Sequence, residues 1–146
     1  MKVSTRGRYG TRALLDLALH KEEEPVALKD IAERQQISLA YLEHLIKPLT
    51  SGGLIRSVKG PRGGIVLVKS PEEIRLIDIV QLLEGSTTPV ECLDNPKLCK
   101  RSGQCATRDV WEEVKQAMNG VLSGITLQNL MEKQQKKSTK ESMYYI

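Results

Sequence analysis

The chain has 146 residues, 40% of them hydrophobic, a net charge of +4, one Trp and no Phe, which suits a single domain with an aliphatic core and a helical appendage. No run approaches membrane-span length, and Met1-Lys2-Val3-Ser4 carries no apolar signal region, so a cytoplasmic protein without a membrane partner is expected. Three Cys, an odd number in such a chain, argue against a disulfide scaffold.

Charge is unevenly spread. Residues 1–69 hold 12 Lys/Arg against 7 Asp/Glu, whereas residues 70–146 hold 10 against 11. A basic first half joined to a near-neutral second half suits a nucleic-acid module attached to a sensing or assembly module, although a solvated basic surface would look the same.

The first helix is expected over Thr5–Lys21, with Tyr9, Ala13, Leu14, Leu17 and Ala18 on one stripe and Pro25 closing the segment. Two short helical patterns follow between Val26 and Ser51. Leu28, Ile31 and Ala32 mark the first, and Leu39, Leu42, Leu45, Ile46 and Leu49 mark the second. Gln35-Gln36-Ile37-Ser38 forms a tight connection with Ser38 as N-cap, and Pro48 is expected to kink or end the second helix. This is the outline of a helix-turn-helix.

Gly52-Gly53 stops that helix. Leu54–Val58 and Ile65–Val68 read as strands around the turn Lys59-Gly60-Pro61-Arg62-Gly63-Gly64, which is a wing in sequence form. Ser70-Pro71-Glu72-Glu73 is expected to open another helix with Ile74, Ile77, Val80 and Leu83 on its apolar face, ending at Gly85. Residues 86–106 form a long loop without periodicity that carries all three Cys. From Thr107, the stripe Val110, Val114, Met118, Leu122, with Trp111 and Val121 beside it, asks for a partner, either a second helix in a homodimer or the chain itself. A last short helix follows from Thr126, and the tail 133–146, rich in Lys, Gln and Ser, is expected to be disordered.

The expected fold is therefore mainly α: a winged helix-turn-helix at 1–85 with a two-stranded wing, a cysteine-bearing loop at 86–106 and long C-terminal dimerisation helices at 107–132. Such a fold reads double-stranded DNA with the start of its second helix in the major groove. Ser38, Ala40, Tyr41, Glu43 and Lys47 occupy that start, while His44 reads as an ordinary surface histidine. Glu43 is repelled by phosphate but can accept from a cytosine amino group, so it can set sequence choice. Arg56, Lys59 and Arg62 surround the wing turn, where a guanidinium can enter a narrow minor groove. Arg6, Arg8 and Arg12, with Tyr9, extend the positive surface along the first helix.

Cys92, Cys99 and Cys105 follow the spacing C-x6-C-x5-C. Three soft thiolate donors in one loop can converge on an iron–sulfur cluster or zinc, each wanting a fourth ligand, or two of them can form a disulfide switch. Lys97, Lys100, Arg101 and Arg108 nearby favour the thiolate form. No phosphate loop, Ser/His/Asp arrangement, paired helical His ligands or C-x-x-C spacing supports an enzyme.

Ser4-Thr5-Arg6-Gly7-Arg8-Tyr9-Gly10, Ile31-Ala32-Glu33-Arg34, Ile37-Ser38-Leu39-Ala40-Tyr41-Leu42-Glu43 and Val58-Lys59-Gly60-Pro61-Arg62-Gly63-Gly64 occur in this order. With Ser70-Pro71-Glu72-Glu73-Ile74 they resemble the IscR-type family of bacterial transcription regulators over about residues 1–130. The resemblance implies a homodimer with crossed C-terminal helices, repression or activation of transcription, and, for members with three Cys in this loop, an iron–sulfur cluster, commonly of the 2Fe–2S type. It thereby points to control of cluster-assembly genes, with nitric oxide, thiol redox state or a partner protein as alternative signals. The family's usual fourth ligand, a His three residues after the last Cys, is replaced here by Arg108. Glu43 is the candidate substitute, because one carboxylate shared between cluster and DNA would couple the two; Glu91, Asp94 and Asp109 are further carboxylates near the loop.

Overall fold

Ser4 caps the first helix, its hydroxyl accepting the Gly7 backbone N–H at 3.2 Å. The structure, a computed structural model, describes residues 1–144 and begins with α1 (Thr5–Leu19). Leu14 and Leu17 of α1 are buried against α2 (Leu28–Gln35) and α3 (Leu39–Ser51). Gln36, left-handed at φ 56°, ends α2. Ser38 then accepts the Tyr41 N–H at 3.2 Å and starts α3, as expected of an N-cap.

Pro48 neither ends nor replaces any part of α3, which runs on to Ser51. Proline removes one backbone donor there, but Leu45, Ile46 and Leu49 are buried around it and their packing outweighs that single bond. Gly52 and left-handed Gly53 (φ 79°) turn the chain into β1 (Ile55–Val58), which pairs antiparallel with β2 (Gly64–Leu67) in the register Ile55↔Leu67 to Val58↔Gly64. Val26 adds a bridge to Ile65 from outside. A Cβ on Gly64 would collide with the Val26 carbonyl, so this crossing needs glycine.

The next helix, α4 (Leu76–Glu84), starts later than Ser70-Pro71 suggests. Its entry segment is taken up by non-local pairing. Leu76 N–H donates to the Ile125 carbonyl at 2.8 Å, and Leu127 N–H donates to the Ile74 carbonyl at 2.8 Å. Those bonds hold Ile74 and Arg75 extended, and the Asp78 carboxylate accepts the Arg75 N–H at 3.1 Å to start the helix.

Residues 86–105 are less irregular than their sequence indicates. They contain α5 (Glu91–Asp94) and two single 3₁₀ turns, Pro96–Leu98 and Ser102–Gln104. Helix α6 (Ala106–Ser123) then leaves with no buried residue, and α7 (Leu127–Tyr144) follows. The expectation of a disordered tail is corrected for residues 133–144, which continue α7; Tyr145 and Ile146 lie outside the described residues. Lys, Gln and Glu are good helix formers, and Leu127 anchors the first turn in the core. The core is aliphatic, its largest fully buried side chains being Leu and Ile from α1–α4, the extended entry to α4 at Ile74, the wing and α7.

Candidate DNA interface and cysteine loop

Helix α3 exposes Ser38, Ala40, Glu43, His44 and Lys47, while Tyr41 is half-buried. Tyr41 meets Tyr9 edge to face, with ring centroids 6.2 Å apart at 87°. The guanidinium carbons of Arg8 and Arg12 lie 5.5 and 5.2 Å from the Tyr9 ring centroid. Arg12 is fixed further by donating to the Gln35 carbonyl at 2.7 Å and to Gln35 Oε1 at 3.1 Å. Thus Arg8, Tyr9 and Tyr41 form one contact group with Arg12, next to the N-terminal end of α3. Arg56 on β1 and Lys59 and Arg62 in the wing turn stand apart from it on the hairpin, all exposed.

Sequence reasoning missed the support beneath this surface. Asp16, 3% exposed, receives Arg34 Nη2 at 2.6 Å and Gln35 Nε2 at 2.8 Å. Asp and Arg spaced 18 residues apart leave no periodic signal to find.

The three Cys are free thiols, Cys92 and Cys105 half-buried and Cys99 exposed. Cys92 lies on α5; Cys105 is the N-cap residue of α6, and these two helices pack together. Cys105 Sγ is 3.2 Å from the Thr107 hydroxyl. That hydroxyl first, then the Arg108 backbone N–H at the helix start, holds the Cys105 thiol below its ordinary pKa, against a smaller opposing effect of burial. The Arg108 side chain reaches back to donate to the Cys92 carbonyl at 3.4 Å. Asp94, at the end of α5, accepts from Ser86 and from Thr88 (2.6 Å) and faces Lys115 of α6 at 3.6 Å, so its carboxyl is held below the usual range, chiefly by the two hydroxyls.

Among the described residues, no three His, Cys, Asp or Glu side chains gather in metal-binding proximity. Within one chain, then, Glu43 does not join the cysteines; it is exposed on α3.

A helix-turn-helix braced by a basic first helix and followed by a two-stranded wing is the apparatus of a winged-helix DNA-binding transcription regulator. Residues 3–133 match the Rrf2 family, described as iron-dependent transcriptional regulators, and the chain belongs to that family. It is 47% identical over 131 residues to protein rrf2 of Nitratidesulfovibrio vulgaris, covering 90% of this chain and 87% of that one. The solved structure of T. potens IscR is 42% identical, with TM-score 0.75 over 91% of this chain and 88% of that one. The structure of CymR, the global cysteine regulator of Bacillus subtilis, is 38% identical, with TM-score 0.76 over 90% and 97% of the two chains. Relatives named IscR and CymR are described as helix-turn-helix transcriptional regulators. No helix among the described residues is long and apolar enough to cross a membrane.

Proposed function

We propose that the protein is a homodimeric regulator whose operator binding responds to an iron–sulfur cluster, of the 2Fe–2S type, held by Cys92, Cys99 and Cys105. The observation that carries this reading is the junction of α5 and α6. Cys92 sits on α5 and Cys105 at the N-cap of α6, and the Arg108 side chain donates to the Cys92 carbonyl while its backbone N–H helps to lower the Cys105 thiol pKa. The three cysteine donors of the loop are soft, which suits iron–sulfur chemistry. Nε of Arg108 is buried without a partner, as expected beside an acceptor that the polypeptide does not itself supply.

When bound, the cluster supplies a centre whose presence depends on iron, sulfide and oxidants. The chain's own residues do the rest. Cys105 and Cys92 tie the start of α6 to α5, Asp94 and Lys115 brace that contact, and α4 carries the change to the DNA-binding core through its packing on α6. On the other face, Arg8, Lys47, Arg56, Lys59 and Arg62 meet phosphates or the minor groove, and Ser38, Ala40, Tyr41 and Glu43 read the major groove with Tyr9 behind them. Glu43 belongs to the base-reading surface and is also the proposed fourth ligand, reaching a cluster only from a second copy. Genes of cluster assembly are the proposed targets, and the cytoplasm the proposed site of action.

Anaerobic purification with iron and acid-labile sulfide analysis, beside Cys92→Ala, tests the reading. Colour, iron and sulfide lost in the variant are expected. A colourless, iron-free wild type overturns it. A metal-free thiol switch is the second reading, favoured by the likeness to CymR and by the depressed Cys105 thiol.

A further inference from the structure

Arg108 stands three residues after the last Cys, at the start of α6. Its guanidinium carries the only buried side-chain nitrogen or oxygen among the described residues without a hydrogen-bond partner, Nε. A guanidinium cannot ligate iron: it stays protonated and has no free lone pair to offer. It is, however, an N–H donor in a fixed fork. One branch of that fork, Nη2, is already held by the Cys92 carbonyl at 3.4 Å. Leaving a buried charged donor unpaired is costly, so an acceptor is expected at Nε. Arg108 meets Cys92 through the backbone carbonyl of that residue and Cys105 through its own backbone N–H, so a sulfur held by these two cysteines is an acceptor of suitable chemistry.

We infer that Arg108 is a positioning residue that donates a hydrogen bond from Nε to a sulfur atom of the bound cluster and sets its redox potential. This rests on the cluster reading of the cysteine loop. The physical effect has a fixed sign. A positive charge and an N–H donor beside the sulfurs stabilise the reduced, more negative state, so they raise the midpoint potential. Removing them lowers it.

The test uses full-length wild type, Arg108→Leu and Arg108→Lys, each purified anaerobically, with iron and sulfide content, visible circular dichroism and midpoint potential measured. Arg108→Leu is expected to keep its fold and show a midpoint shifted to more negative values. Arg108→Lys, which retains charge and a donor, should lie between it and wild type. If Arg108→Leu cannot hold a cluster while Arg108→Lys does, the donor role is likewise supported. A potential and spectrum unchanged in Arg108→Leu overturn the inference, as does equal loss of the cluster from both variants. A wild type without iron and sulfide is a separate outcome: it removes the cluster reading and this inference with it.

Discussion

Arg34 grips Asp16 with two nitrogens, Nη2 2.6 Å from Oδ1 and Nε 3.0 Å from Oδ2, and so fastens the end of α2 to the buried face of α1. The hydrogen bond to Asp16 is the main cause of the raised Arg34 pKa. Losing Asp16 leaves Arg34 and Gln35 without their shared acceptor. A fully buried pair costs about 3–5 kcal/mol when one partner is removed, but the Arg34 side chain is 34% exposed and water can take over part of the role. Asp16→Ala is therefore expected to lose about 2–3 kcal/mol in denaturant unfolding. A loss below about 0.5 kcal/mol, the range of ordinary surface changes, would show that the clasp is not structural.

The wing and the reading helix should fail differently on DNA. Lys59→Ala and Arg62→Ala are expected to weaken binding to all sequences alike, each reducing the salt slope by about 1. Glu43→Ala should instead change preference among operators, by about 1–3 kcal/mol at one base pair. Binding titrations at several salt concentrations separate the two. The same Glu43 variant, loaded anaerobically, tests the ligand role: an unchanged absorption spectrum removes Glu43 from the coordination sphere.

Most of this interface is legible in the sequence because its parts are local. Ser38 announces its helix, the glycines of 60–64 announce their turn, and the apolar stripes announce the core. What escaped depends on distant partners. The start of α4 is set by bonds from Ile125 and Leu127, some fifty residues onward, and no local signal at Pro71 reveals them. The tail is ambiguous in sequence because Lys, Gln and Ser suit solvated chain and exposed helix equally well, and only Leu127 in the core decides between them. In the cysteine loop the spacing was readable, but the contact of Arg108 with Cys92 required the packing of α5 on α6.

In metal-free protein, Cys105 should react with an alkylating reagent along a pH profile centred below that of an ordinary thiol. A lowered pKa means more thiolate at a given pH below the ordinary midpoint, hence faster reaction near neutrality. Thr107→Val removes the first cause of the shift and should move the profile to higher pH. Mass-spectrometric rates at Cys105 across pH 6–10 (about four units around the ordinary thiol value) read this directly. A profile indifferent to Thr107 would assign the shift to the helix start alone.

Helix α6 leaves Val110 51% and Val121 62% exposed, and none of its residues is buried in the single chain. If a second copy covers this face, Val110→Glu and Val121→Glu place an unpaired charge in an apolar contact. Sedimentation should show a dimer for the wild type and a shift toward monomer for each variant. Unchanged association would place the dimer contact elsewhere.

Leu127 in the core means that the chain leaves the DNA-binding body at Gly85 and re-enters it forty residues later. The cysteine segment and α6 are therefore an excursion clamped at both ends, not a trailing appendage. Excising everything after residue 85 would remove a core leucine and the backbone partners of Ile74 and Leu76, so a minimal DNA-binding fragment cut there would begin life destabilised. The cysteine segment and the helix-turn-helix share one folding unit, and whatever alters the loop pulls on that unit from two sides at once.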